Sequence, residues 1–188
     1  AGAAVRFVTP TEWETRDLLM QEVAAAERSQ GRSCWVIPEG ASDVLGMWGF
    51  VHALRELADQ TAAIDGTPPV IWHAASSGGT TAGIGWGVDR LALSLPVVAC
   101  SIGYPKEDIQ SKVAAIWAAA AAAVDAPLPS IRIDYNDKHV GGGYGVVTEE
   151  ELAVQMEATA LTGLIFDPTY TGKALVGLKR EIDSGRYN

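Results

Sequence analysis

Val70-Ile-Trp-His-Ala-Ala-Ser-Ser-Gly-Gly-Thr-Thr-Ala-Gly-Ile84 decides how this chain is read. Val70 to Ala75 is apolar and β-prone, Ser76 to Thr81 is a turn of small residues, and from Ala82 the stretch suits a helix. Strand, Gly/Ser/Thr turn and helix start, in that order, build an anion site. The backbone N–H groups of the turn and of the first helical residues have no partner inside the helix. Glycines let the backbone approach a ligand closely, and Ser and Thr hydroxyls add donors. The stretch reads as a phosphate cradle; the alternative is a tight βα turn that is glycine-rich for structural reasons alone.

It is not one of the commoner phosphate motifs. No Gly-x-x-x-x-Gly-Lys-Ser/Thr occurs, which argues against a nucleoside triphosphatase loop. Gly83-Ile-Gly85-Trp-Gly87 looks superficially like a dinucleotide fingerprint, but it falls inside the following helix, where its glycines suit close packing on the sheet.

Composition narrows the class. A chain of 188 residues, 48% hydrophobic, is one domain, or one domain plus a piece of another, with enough apolar content for a real core. A net charge of -9 without a basic patch argues against nucleic acid as a partner. No apolar run reaches membrane-spanning length, and Ala1 to Val8 lacks an apolar core followed by a cleavage site, so neither a membrane span nor a signal peptide is expected. Cys34 and Cys100 sit in apolar, strand-like runs and read as buried free thiols rather than a disulfide, which suggests a cytoplasmic protein.

Working outward from the central stretch, strands and helices alternate. Strands are expected at Ala1–Val8, Cys34–Ile37, Pro96–Ile102, Ser130–Ile133 and Gly163–Phe166. Helices are expected over about Glu12–Gln30, opened by a Thr11/Glu14 capping box, and over Leu45–Gln60, Thr81–Leu93 and Asp108–Val124. Two more should run from a Thr148/Glu151 capping box to about Leu161, and from Lys173 to Ser184. Pro68-Pro69 marks the turn into the central strand. Alternation with strands apolar on both faces indicates an α/β fold, three-layered, with a mostly parallel sheet. Ligands of such sheets sit beyond the carboxyl ends of the strands, where the turns at 38–43, 76–81, 103–106 and 167–172 would gather.

Three loops look like more than connectors. Gly141-Gly-Gly-Tyr-Gly145 carries Tyr144 on flexible backbone, either as a ligand contact or as a mobile surface lid. Asp167-Pro-Thr-Tyr-Thr-Gly-Lys173 places Tyr170 and Thr171 at a strand end, with helix capping by Asp167 or Thr171 as the plainer use. Glu39-Gly-Ala-Ser-Asp43 offers two carboxylates and a hydroxyl, for which capping by Ser42 or Asp43 is the plainer use. His73 reads as a satisfied core histidine, His139 as a surface residue, and His52 as helical; no pair has metal-ligand spacing, so no metal site is expected. The absence of Gly-x-Ser-x-Gly argues against the commonest α/β hydrolase arrangement.

Four motifs together carry a family resemblance. Ile37-Pro-Glu-Gly-Ala-Ser42, Ser77-Gly-Gly-Thr-Thr-Ala-Gly83, Gly143-Tyr-Gly145 and Asp167-Pro-Thr-Tyr-Thr-Gly-Lys-Ala174 resemble the D-cysteine desulfhydrase and 1-aminocyclopropane-1-carboxylate deaminase family. These are pyridoxal-phosphate enzymes of the tryptophan-synthase-β fold type, and the match covers nearly the whole chain. The resemblance implies that Ser77, Gly78, Gly79, Thr80 and Thr81 grip the pyridoxal 5'-phosphate, that Tyr144 and Tyr170 are catalytic tyrosines, and that Thr171 faces the pyridine nitrogen. A phenol with a pKa of ~10 is a weak base at neutral pH, so the site would have to tune it. The deaminases carry a glutamate where this chain has Thr171; threonine resembles the desulfhydrase branch. The implied reaction is α,β-elimination of D-cysteine, or a related small D-amino acid, to pyruvate, ammonia and sulfide.

The departures from the family are specific. None of Lys106, Lys112, Lys138, Lys173 and Lys179 matches the Schiff-base lysine, which the family carries in an N-terminal Asn-Lys motif. Asp43 stands where an asparagine is common. The resemblance therefore implies a C-terminal portion of the enzyme, a partial fold: 1–32 as the last βα unit of the small domain, and 33–188 as the large cofactor-phosphate domain without its final strand. Alone it would be inactive and prone to association; complete, it would be a homodimer acting on a small amino acid, with the missing half supplied in the same chain or by a partner. Deaminase-like activity, or a non-catalytic domain binding a phosphate ligand or a protein partner, are the alternatives.

Overall fold

The computed structural model describes residues 2–62 and 69–187. The turn expected at Pro68-Pro69 lies partly outside them, as does Ala1 of the first expected strand. The chain forms two compact units, 1–39 and 40–188.

In the first unit the long helix expected over 12–30 is two, α1 (Pro10–Glu14) and α2 (Arg16–Ser29), parted at Thr15 (φ -109°, ψ 20°). The capping box lies two residues earlier than expected: Thr9 Oγ1 accepts from Glu12 N, and the Glu12 carboxylate accepts from Thr9 N. Pro10 at the first helical position, with φ already helical and no N–H to satisfy, favours that register. The expected strands, over the described residues 2–8 and at 34–37, do not form ladders. An apolar run becomes a strand only when a neighbour accepts its hydrogen bonds, and among the described residues none does.

The second unit holds the sheet. β1 (Ile71–Ala75), β2 (Val97–Ser101) and β3 (Ile133–Asn136) lie in that order, both pairs parallel, with Ile71 opposite Val97 and Val97 opposite Ile133. The third strand begins where Ser130–Ile133 was expected to end. Gly163–Phe166 is not a strand: Gly163 closes the preceding helix in the left-handed region (φ 74°), and the next residues pair with nothing in the sheet.

Helices cover both faces, as expected of a three-layer α/β fold. Residues 71, 75, 97, 99 and 133 pack into the main core with α3 (Val44–Thr61), α4 (Gly79–Arg90) and α5 (Lys106–Val124). On the other face, Trp72 Nε1 donates to Ala174 O (2.7 Å) of α7 (Thr171–Asp183), which lies beside α6 (Glu149–Thr162).

The glycines of 83–87 do more than pack on the sheet, which only Gly85 approaches, at Ile133. A Cβ at Gly83 would strike Met47 O, one at Gly87 would meet Leu54, and one at Gly85 would meet Trp117 and Ile133. They mainly admit α3 and α5 to close range, so α4 is buried along nearly its whole length.

Candidate active site

The cradle forms at the carboxyl end of β1, but α4 starts at Gly79 rather than at Thr81. Thr80 and Thr81 therefore belong to the first helical turn, and their N–H groups to the set the helix itself leaves unpaired. Gly78 makes the turn possible by taking a left-handed conformation (φ 94°), and as the N-cap residue it offers α4 no side chain of its own.

Ser42, whose plainer use from sequence is helix capping, completes this turn. Ser42 Oγ donates to Ser77 Oγ (2.6 Å) and accepts from Gly79 N (3.2 Å). A Cβ on Gly40 would lie 2.6 Å from Ser77 Oγ, and one on Gly79 would lie 2.7 Å from Ser42 Oγ. Both glycines are there because the two loops touch. Asp43, by contrast, caps α3 through Gly46 N (2.7 Å).

Thr81 Oγ1 is fully buried and has no hydrogen-bond partner. An unpaired buried hydroxyl in the first turn of a helix whose N-cap is a glycine, beside Ser42 and Ser77, fits a phosphate.

Beside the cradle is a cavity of about 480 Å³ whose wall includes Thr80, Tyr170, Thr171, Trp72, His73 and Phe166. Asp167 shapes its rim. Its carboxylate accepts from Thr169 N (3.0 Å), Tyr170 N (2.6 Å), Thr171 N (2.8 Å) and the Thr171 hydroxyl. Burial alone would raise the Asp167 pKa; the bonds from Thr171, Tyr170 and Thr169 outweigh it and hold the group below the usual carboxylate value. The Thr171 proton is committed to Asp167, so the threonine oxygen is left only as an acceptor.

Tyr144 meets Tyr170 phenol to phenol at 2.5 Å, with edge-to-face rings 5.9 Å apart at their centroids. Both remain partly exposed, 55% and 44%. The structure thus brings together Ser77, Gly78, Gly79, Thr80 and Thr81 in one turn, puts Tyr170 and Thr171 on the wall of the adjoining cavity, and reaches Tyr144 through Tyr170.

The profile of the pyridoxal-phosphate dependent enzymes matches residues 1–188. The chain belongs to that family. Curated relatives include a D-cysteine desulfhydrase of Yersinia pestis (strain Pestoides F), 30% identical over 168 residues, covering 89% of this chain and 51% of the relative. Another is a D-cysteine desulfhydrase of Salmonella paratyphi B, 31% identical over 172 residues, covering 92% and 52%. The chain spans about half the length of the curated relatives it matches. Among solved structures, an ACC deaminase homologue superposes with a TM-score of 0.77 at 26% identity, covering 98% of this chain and 54% of that one. The α/β fold with a parallel sheet is shared with that homologue.

Set against this pyridoxal-phosphate enzyme fold, the histidines differ from their expected roles. His73 is only half satisfied: Nδ1 lies 2.9 Å from Ala74 O, while Nε2 is buried without a partner, and burial pushes its pKa down. His139 is not a surface residue; its Nε2 lies 2.8 Å from Glu181 Oε1. Both cysteines are free, and burial followed by the Glu181 charge pushes the Cys100 thiol up to about 12. Among the described residues no cluster of metal ligands occurs, and no helix is long and apolar enough to cross a membrane.

Proposed function

We propose that this chain is the cofactor-phosphate portion of a lyase catalysing α,β-elimination of D-cysteine, or a related small D-amino acid, to pyruvate, ammonia and sulfide. The observation that carries the reading is the cradle and its cavity together. A phosphate-type turn opens beside a wall bearing a hydroxyl acceptor and a phenol pair, in a chain whose relatives are D-cysteine desulfhydrases. Ser77, Gly78, Gly79, Thr80 and Thr81 would hold the phosphate of pyridoxal 5'-phosphate, with Ser42 fixing Ser77 and Gly79. When bound, the cofactor supplies an electron sink for the charge that develops at the substrate α-carbon.

The protein's own groups orient and move protons. Asp167 would hold the Thr171 hydroxyl in place on the side of the cavity facing the pyridine ring. Tyr144 and Tyr170 share a proton between their oxygens, and the pair would exchange a proton with the substrate. A threonine at 171, in place of the deaminases' glutamate, favours elimination over ring-opening deamination. Among the described residues no lysine lines the cavity. That supports a Schiff-base lysine supplied by a segment or chain outside these residues, in which case residues 1–188 alone would not turn over substrate.

The test is pyridoxal-phosphate binding and sulfide release from D-cysteine by the chain joined to a lysine-bearing half. Binding with sulfide release supports the reading, and Thr171→Glu should shift the product ratio toward deamination. Binding of the cofactor with no D-amino-acid turnover would instead favour a phosphate-ligand-binding domain.

A further inference from the structure

Tyr144 sits among four glycines, on backbone that by itself would leave the phenol poorly placed. Its loop runs from Val140 to Thr148, between β3 and α6, and one buried ion pair holds both ends. Lys173 Nζ, with 0% of the side chain exposed, donates to Val140 O (3.1 Å) and to Glu151 Oε1 (3.1 Å). Glu151 Oε2 accepts from Thr148 N (2.8 Å), and Thr148 Oγ1 accepts from Glu151 N (3.2 Å). The loop enters under the ammonium and leaves under the carboxylate.

Two glycines report how tightly this base is drawn. A Cβ on Gly141 would strike Glu151 Oε1 and come within 3.3 Å of Lys173 Nζ. A Cβ on Gly103, in the β2–α5 loop, would lie 2.9 Å from Tyr144 Cβ and 3.1 Å from its backbone nitrogen. Lys173 itself lies in the first turn of α7, just after Tyr170 and Thr171. It therefore ties the element bearing one tyrosine to the base of the loop bearing the other.

Stability is a poor reason for such a pair. Taking two charges out of water is costly, and apolar residues of similar shape often serve as well. What an apolar side chain cannot do is donate to the Val140 carbonyl and the Glu151 carboxylate at once. We propose that the Lys173–Glu151 pair is a positioning device that sets the Tyr144 phenol against Tyr170. Neither residue touches the reacting atoms. The proposal draws its catalytic meaning from the function proposed above, but its geometry stands without it.

The decisive variant is the charge-neutral double substitution Glu151→Gln with Lys173→Met, studied beside Lys173→Met alone. Ring-to-ring NMR cross-peaks between Tyr144 and Tyr170, and the rate of chymotrypsin cleavage after Tyr144, read the position directly. In the double variant we expect the melting temperature to stay near the parent's, the cross-peaks to vanish, and cleavage after Tyr144 to rise about tenfold or more while other sites are unchanged. Lys173→Met alone should show the same loss together with lower stability, because it strands a buried carboxylate. Parent-like cross-peaks and cleavage in a folded double variant would overturn the proposal. So would failure of the double variant to fold, since the pair would then be a stability element. These readings need neither cofactor nor substrate. In the parent chain joined to its lysine-bearing half, absence of sulfide release with intact ring contacts would count against the tyrosines' catalytic role and leave the positioning role standing.

Discussion

Residues 1–39 and residues 40–188 are written in the same alphabet of apolar runs and capped helices, and they end differently. In the first unit Ala24 is the one buried residue of the two helices, while Phe7 is 93% and Trp35 74% exposed. In the second, the runs at 71–75 and 97–101 are paired, and α4 is buried almost throughout. The difference is hydrogen-bond partners. Val97–Ser101 has a neighbour on each side; Cys34–Ile37 has none among the described residues. Apolarity proposes a strand, but only a ladder satisfies its backbone and brings side chains into contact.

The comparison can be broken most forcefully at Gly83. Gly83→Ala drives a methyl into the Met47 carbonyl, and we expect a loss of about 3 kcal/mol or more in chemical denaturation. A loss under about 1 kcal/mol would mean that α3 and α4 are not packed as described.

Next in size is Glu181, buried on α7 and joined by Asn136 (2.9 Å), His139 (2.8 Å) and Arg186 (2.9 Å). Burial raises its pKa, and the bonds from His139, Arg186 and Asn136 with the Arg186 charge more than reverse this, taking it from 4.5 to about 2. A carboxyl depressed in the folded state adds stability that is fully present above pH 4.5 and lost as pH falls toward about 2. Glu181→Gln should cost on the order of 2–3 kcal/mol at neutral pH and flatten the acid limb of the stability curve. An unchanged acid limb would remove Glu181 from that role.

The two capping boxes sharpen the contrast at smaller scale. Thr148→Ala should lower global stability by about 1 kcal/mol, whereas Thr9→Ala should speed hydrogen exchange in α1 and leave the global transition unmoved. Smallest of all, Phe7→Ala and Trp35→Ala should each change stability by less than about 0.5 kcal/mol. A larger effect would mean that the first unit buries those side chains in solution.

Much of this was legible in the chain itself. The helices, the β-prone runs at 70–75 and 96–102, the small-residue turn and the Thr148/Glu151 box are local signals and appear where they were read, the helix starts within a few residues, whereas the runs read as strands at 1–8, 34–37 and 163–166 do not form them. Three features were not legible. Ser42 looked like a helix cap because nothing in its neighbourhood shows that Ser77 and Gly79 approach it. Lys173 reads from sequence only as the first residue of the last helix, and nothing near it in the chain shows that Glu151 and Val140 meet its ammonium. His139 looked exposed because its partner, Glu181, lies far along the chain.

The sequence by itself determined the class of the fold and the kind of turn that follows the central strand, proposed above to receive the phosphate, because periodicity, glycine and capping residues act within a few positions of themselves. Only the tertiary structure decided which apolar runs are strands, which serine completes the cradle and what holds Tyr144 beside Tyr170. Those outcomes depend on hydrogen-bond partners and buried charges brought together from distant parts of the chain, and no local pattern encodes which distant group will arrive.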